Sequence, residues 1–101
     1  MSQSNVVSSF EALEHVLREM LAAAHAQAWS AFETLRHRYA HETARLKLHD
    51  DESPASDEES ACRLALLERI LMLDAQVRDL ATQRIAVLHA MLQSAGVATH
   101  R

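Results

Sequence analysis

The chain has 101 residues, with 49% hydrophobic and 24% charged side chains but only one glycine, one proline and one cysteine. Fourteen acidic against ten basic residues give a net charge of −4, and no segment carries the dense Lys/Arg cluster that would neutralise a row of phosphates, so nucleic acid is excluded as an expected partner. Cys62 alone cannot form an intrachain disulfide and suits a reducing compartment, while abundant Ala, Leu, Glu and Arg with so few turn residues point to a single all-α domain.

The first stretch, "MSQSNVVSSFEALEHV", has no basic region followed by an apolar block. No apolar run approaches the ~20 residues needed to cross a bilayer, so the expectation is a cytosolic protein without membrane insertion. Residues 1–7 read as polar and frayed. The capping-box spacing of Ser8 and Glu11 then predicts a helix start. Phe10, Leu13, Val16, Leu17, Met20, Leu21 and Ala24 recur at steps of three and four and mark one buried face.

A second set, Ala28, Ala31, Phe32, Leu35, Tyr39 and Leu46, continues in phase with the first. Periodicity alone therefore allows one helix from Ser9 to about Leu48. A break before Trp29 is the other solution, because helices of about 18 and 21 residues could both lie along a last helix of about 37 residues in an up-down-up bundle. A two-helix hairpin that dimerises is the rival.

"HDDESPASDEES" holds the only proline and reads as an acidic connection over 49–55, with Ser53 and Ser56 as alternative caps for the next helix. That helix, about residues 56–93, ends near Gly96, a candidate left-handed terminator ahead of the tail 94–101. Its apolar band is too wide for one neighbour. Leu67, Ile70, Leu71, Val77, Ala81, Ile85, Leu88 and Leu92 form one stripe. Leu66, Leu73, Leu80 and Val87 form a second line at heptad spacing, joined by Met91. The second line either packs on the third helix or leaves part of itself exposed for another protein's amphipathic segment. Leu66, Leu73, Leu80, Val87 and Met91 are the candidate contact line on periodicity, rimmed by Arg69 and Gln83.

Asp74 falls in the middle of the apolar face with Arg78 one turn later. A buried carboxylate needs a partner, so Asp74 is expected to act as a polar pin matched by Arg78 or by a cation of a neighbouring helix. One carboxylate with no companion acid or nucleophile builds no active site, and no enzyme activity is expected. His37 and His41 have chelating i, i+4 spacing, but Arg38 and Arg45 nearby oppose a divalent cation, and "HETAR" lacks the second histidine of HExxH. Cys62 reads as a small buried side chain. Neither a metal nor another cofactor is expected, and Gly96 alone cannot build a phosphate loop.

"LLERILMLDAQVRDLATQRIAVLHAML" resembles the final bundle helix of the FliT-type flagellar export chaperones through Leu66 and Leu67, Ile70 and Leu71, Asp74, Val77 and Arg78, then Leu80 and Leu88. "AQAWSAFETL" is similar to the family's tryptophan helix junction through Trp29, Phe32 and Leu35, with Gln27-Ala28 where members often carry glycine-aspartate. The likeness covers about residues 10–93. The family's fourth, C-terminal helix has almost no counterpart after Gly96. The resemblance implies a turn just before Trp29 and hence an up-down-up antiparallel three-helix bundle with helices at about 9–26, 29–48 and 56–93. It also implies a non-catalytic cytosolic chaperone that holds the flagellar filament-cap protein FliD and helps deliver it to the type III export apparatus, with the export ATPase complex as a further partner. Alternatives are a chaperone for another secretion substrate, a helical protein that binds a transcription factor, and a structural homodimer with an unbroken first helix. Monomer and homodimer both stay open.

Overall fold

A computed structural model describes residues 5–49 and 51–96. Three helices follow one another: α1 Asn5–His25, α2 Trp29–Lys47 and α3 Asp57–Ser94, with no strand among the described residues. The protein is all-α. Residues 1–4, Asp50 and the tail 97–101 lie outside the described residues.

The first helix starts earlier than the Ser8 cap predicts. Val6 and Val7 are buried, so residues 5–7 are helix and not a frayed lead. Two β-branched side chains with a surface to cover outweigh a serine cap, since packing of an apolar face contributes more to a helix than its end does. Ser9 is buried with them, and its Oγ has no hydrogen-bond partner among the described residues.

Residues 26–28 answer the question left by the in-phase stripes: the chain turns there. Gln27 adopts φ 57°, the Gln27 amide donates to Ala24 O at 3.0 Å and the Ala28 amide donates to Ala23 O at 2.8 Å. This pair of bonds is the Schellman closure of a helix C-terminus, with a left-handed residue at its hinge. The single unbroken helix, and the structural dimer built on it, are thereby removed.

Ser56 caps α3, its side chain accepting from the Glu59 amide at 3.1 Å, while Asp57, Glu58 and Glu59 place negative charge at the positive end of the helix dipole. At the far end Gly96 takes φ +73° and donates its amide to Gln93 O at 3.0 Å, as expected of a glycine terminator.

The lengths decide the architecture. At ~1.5 Å per residue α3 is ~57 Å long, close to twice either of the others, and the molecule measures 59 × 22 × 20 Å. Asn5 meets Glu52 just ahead of α3, Glu14 meets Arg69, and Ala24 lies by Leu80, so α1 and α3 run parallel, while the short turn at 26–28 folds α2 back antiparallel to both. The core is built on α1. Val16 and Leu17 are fully covered, and Leu13, Met20, Ala23 and Ala24 join Phe32 of α2 with Ile70, Leu73 and Val77 of α3. Both α2 and α3 pack on α1, but their own Cα atoms nowhere come within 8 Å of each other. Side chains bridge that gap: Tyr39 Oη donates to Asp74 Oδ1 at 3.2 Å, and the Arg84 guanidinium lies 5.4 Å from the centre of the Trp29 ring. No described helix is long and apolar enough to cross a membrane.

Candidate functional site

On α3 the residues Leu66, Leu73, Leu80 and Val87 repeat every seven positions, and Ile70, Val77, Arg84 and Met91 repeat beside them. Such lines stay on one side of a helix and drift only slowly around it. Over residues 66–77 this side is the core: Leu66, Ile70, Leu73 and Val77 are all buried. Leu80 is half-buried against the core. Then α1 ends at His25, its cover ends with it, and Val87 and Met91 are 52% and 59% exposed on the same side of the same helix.

The expected contact line is therefore divided. Leu66 and Leu73 are not available at the surface, because α1 covers them. Leu80, Gln83 and Val87 come together with Ala24, His25, Gln27, Trp29 and Arg84 around a cleft where α3 passes the α1–α2 turn. Met91 lies one turn beyond. Arg69, expected at the rim, instead ties α3 to α1 far from this cleft: its Nε donates to Glu14 Oε2 at 2.9 Å and its Nη2 to Oε1 at 3.4 Å. These bonds, with Arg18 on the same carboxylate, hold Glu14 below the usual carboxylate range.

The other stripe is corrected in the opposite sense. Leu67, Leu71, Ile85, Leu88 and Leu92, predicted on the same stripe as Ile70 and Val77, are exposed. Periodicity locates two adjacent apolar faces without saying which one a neighbour covers.

Asp74 holds its place as a polar link between helices. Arg78 Nε donates to its Oδ2 at 2.6 Å, and the partner from the neighbouring helix is the Tyr39 hydroxyl instead of a cation. Burial, followed by the nearby Asp74 carboxylate, raises the Tyr39 pKa above its ordinary value, which keeps the hydroxyl as a donor. Trp29 starts α2, packs edge-on against Phe32 with ring centres 5.2 Å apart, and carries Arg84 over its face. That stacked pair walls the cleft on its α2 side.

Sequence reasoning missed Trp29, Arg84 and Gln27 as cleft residues. The available signal was Arg84 itself, an arginine on the heptad line of Ile70, Val77 and Met91, where the end of the core is the natural place for a charge. Cys62 is exposed and not buried as expected. His37 stands 3.9 Å from Glu33, and no group of three metal-ligating side chains occurs among the described residues.

In the cleft, apolar surface from Ala24, Leu80 and Val87 is accompanied by the polar side chains of His25, Gln27 and Gln83 and by the Arg84 guanidinium over the Trp29 indole. Beyond it the uncovered side of α3 continues through Met91. Together they make an apolar strip with polar edges at one end of the bundle. A family model described as flagellar protein FliT matches residues 7–99. No curated protein and no solved structure matches the chain.

Proposed function

Because the chain belongs to the FliT family of flagellar proteins, we propose that it is a non-catalytic export chaperone of the cytosol that binds the filament-cap protein FliD. Binding keeps the cap protein from assembling early and helps bring it to the type III export apparatus, where the export ATPase complex is the expected second contact. The observation that carries this reading is the change of exposure along one heptad line: Leu73 is buried while Val87, two heptads on, is 52% exposed.

A helix of the cap protein laid along Leu80, Val87 and Met91 would extend the bundle, replacing the cover that α1 stops providing at His25. The segment held this way is withdrawn from self-assembly by mass action, since each bound copy is removed from the free pool. Gln83, Gln27 and His25 offer side-chain hydrogen bonds that would set the direction of the bound helix.

The test is the affinity of the purified protein for the C-terminal segment of FliD, measured by titration calorimetry. Val87→Asp and Met91→Asp, both at exposed positions, should each weaken binding at least tenfold, about 1.4 kcal/mol or more, with helical circular dichroism unchanged. A complex whose affinity neither variant alters, or the absence of any complex with the unmodified protein, overturns the proposal.

A further inference from the structure

Five of the described arginines meet a carboxylate one turn earlier on their own helix, as Arg18 meets Glu14 and Arg78 meets Asp74. Arg38 and Arg69 reach Glu19 and Glu14 across to α1. Arg84 is the exception. The positions one turn before and after it are Leu80, Ala81, Val87 and Leu88, so its own helix offers it no acid. Glu33, which lines the neighbouring groove with it, is bonded to Arg36. In a chain of net charge −4, Arg84 thus has no ion pair among the described residues, and its contact is the Trp29 ring.

Its place on α3 gives this unpaired cation a direction. Arg84 stands on the heptad line of Ile70 and Val77, which are buried in the core. Beyond the end of α1 at His25 the same line runs into the open strip, where Leu80 and Val87 flank Arg84 and Met91 follows it. A helix laid on Leu80, Val87 and Met91 would therefore cover Arg84, already half-buried, in the middle of its contact. Covering a guanidinium with no counter-charge is strongly destabilising, whereas an acid across the seam supplies both the charge and the acceptor oxygens. We propose that Arg84 is the specificity-determining residue of the cleft: it selects a partner helix that carries an aspartate or glutamate among its apolar anchors and rejects an apolar helix that lacks one.

The Trp29 ring, packed edge-on against Phe32, keeps the cation in place at 5.4 Å from the ring centre. The guanidinium N–H groups make no hydrogen bond to a described residue, so a carboxylate can take two of them side by side. The start of α2 adds a field of the same sign, since Ala28 caps it without a side-chain hydrogen bond and its first turn contains no acid. One charged layer in an apolar seam also fixes register: sliding the partner by a turn sets its acid against Leu80 or Val87 and leaves Arg84 covered and unpaired. The acid belongs to a side chain and not to a chain terminus. A partner that ended at Arg84 would leave either Leu80 or the pair Val87 and Met91 uncovered.

This inference rests on the reading of the cleft as the seat of a partner helix, and the experiment keeps the two apart. Titration calorimetry of the full chain against the C-terminal segment of FliD is repeated with Arg84→Gln and Arg84→Lys, and with each acidic residue of the segment changed in turn to its amide. Arg84→Gln should weaken binding at least tenfold and flatten its dependence on salt, with helical circular dichroism retained. Arg84→Lys should recover part of the affinity. One acid-to-amide change in the segment should cost the same factor on the parent protein and nothing further on the Arg84→Gln variant. Exchanging the charges, Arg84→Glu against a segment with arginine at that acid's position, should restore binding.

Unchanged affinity in Arg84→Gln, while Val87→Asp still weakens the complex, would overturn this inference and leave the chaperone reading standing. Coupling of Arg84 to the segment's terminal carboxylate alone, read by amidating that terminus, would overturn it in the same way. The absence of any complex with the unmodified protein overturns both.

Discussion

Two stretches of α3 carry the same pattern and live in different surroundings. Over residues 66–77 its heptad lines are pressed into α1. Over residues 85–94 those lines and the adjacent stripe stand open, and Ile85, Val87, Leu88, Met91 and Leu92 are all exposed. The sequence does not change character at the boundary; the neighbour ends. Buried core and exposed apolar strip are thus one continuous pattern, distinguished by where His25 stops α1 and Gln27 turns the chain.

The largest effect should come from cutting the same column on either side of that boundary. Leu73→Ala removes a buried side chain at the centre of the bundle and should lower the unfolding free energy by about 2–4 kcal/mol in urea titration. Val87→Ala should change it by no more than about 0.5 kcal/mol. Equal losses at the two positions would mean that the end of α3 is covered in solution, and the comparison would fail. Leu73→Asp, for the same reason, probes folding and not binding.

That contrast also explains what could be read from the residues alone. The three helices, the buried face of α1, the Ser56 cap and the Gly96 terminator follow from local chemistry, which acts over one or two turns. Whether Leu73 or Leu71 faces the core does not, because it depends on which side of α3 the separate helix α1 occupies. The split between Leu73 and Val87 depends on the length of α1, a quantity visible only once the turn is placed. The turn itself was concealed because Gln27 takes a backbone conformation usually left to glycine, and because the stripe of α2 resumes in phase with that of α1. In the site, Leu80, Gln83 and Val87 were legible from periodicity, whereas Trp29 and Arg84 meet only through the antiparallel return of α2.

The boundary can be sharpened by relaxing its hinge. Gln27 holds φ 57°, a conformation that costs a residue with a Cβ about 1 kcal/mol relative to glycine. Gln27→Gly should therefore raise the thermal midpoint, by an amount equivalent to at most about 1 kcal/mol, since the added freedom of the unfolded chain offsets part of the gain. A lower midpoint would indicate that the Gln27 side chain contributes contacts at the cleft that outweigh the strain. Helix content should stay the same in either case, because the Ala24 and Ala23 carbonyls keep their amide donors.

The smallest effect should be the most specific to the covered half, where Glu14 joins α1 to α3. Its carboxylate accepts from Arg69 on α3 and from Arg18 on its own helix, with its side chain only 13% exposed against 51% and 59% for the two arginines. Those bonds lower its folded pKa from the ordinary 4.5. A group whose folded pKa is depressed contributes stability above its unfolded pKa and loses it as the pH falls through the folded value. Glu14→Gln should thus weaken the bundle at pH 7 by about 1 kcal/mol or less, given how far the guanidinium groups reach into solvent. The difference from the parent protein should shrink below pH 4.5 and vanish once the parent's Glu14 is protonated. Arg69→Met should remove most of the same pH-dependent difference, because it deletes the larger of the two contributions. A Glu14→Gln penalty that persists unchanged through the acid range would assign it to packing beside α1 and not to the charge pair, leaving apolar contact and the Tyr39–Asp74 bond to hold the covered half of α3 in place.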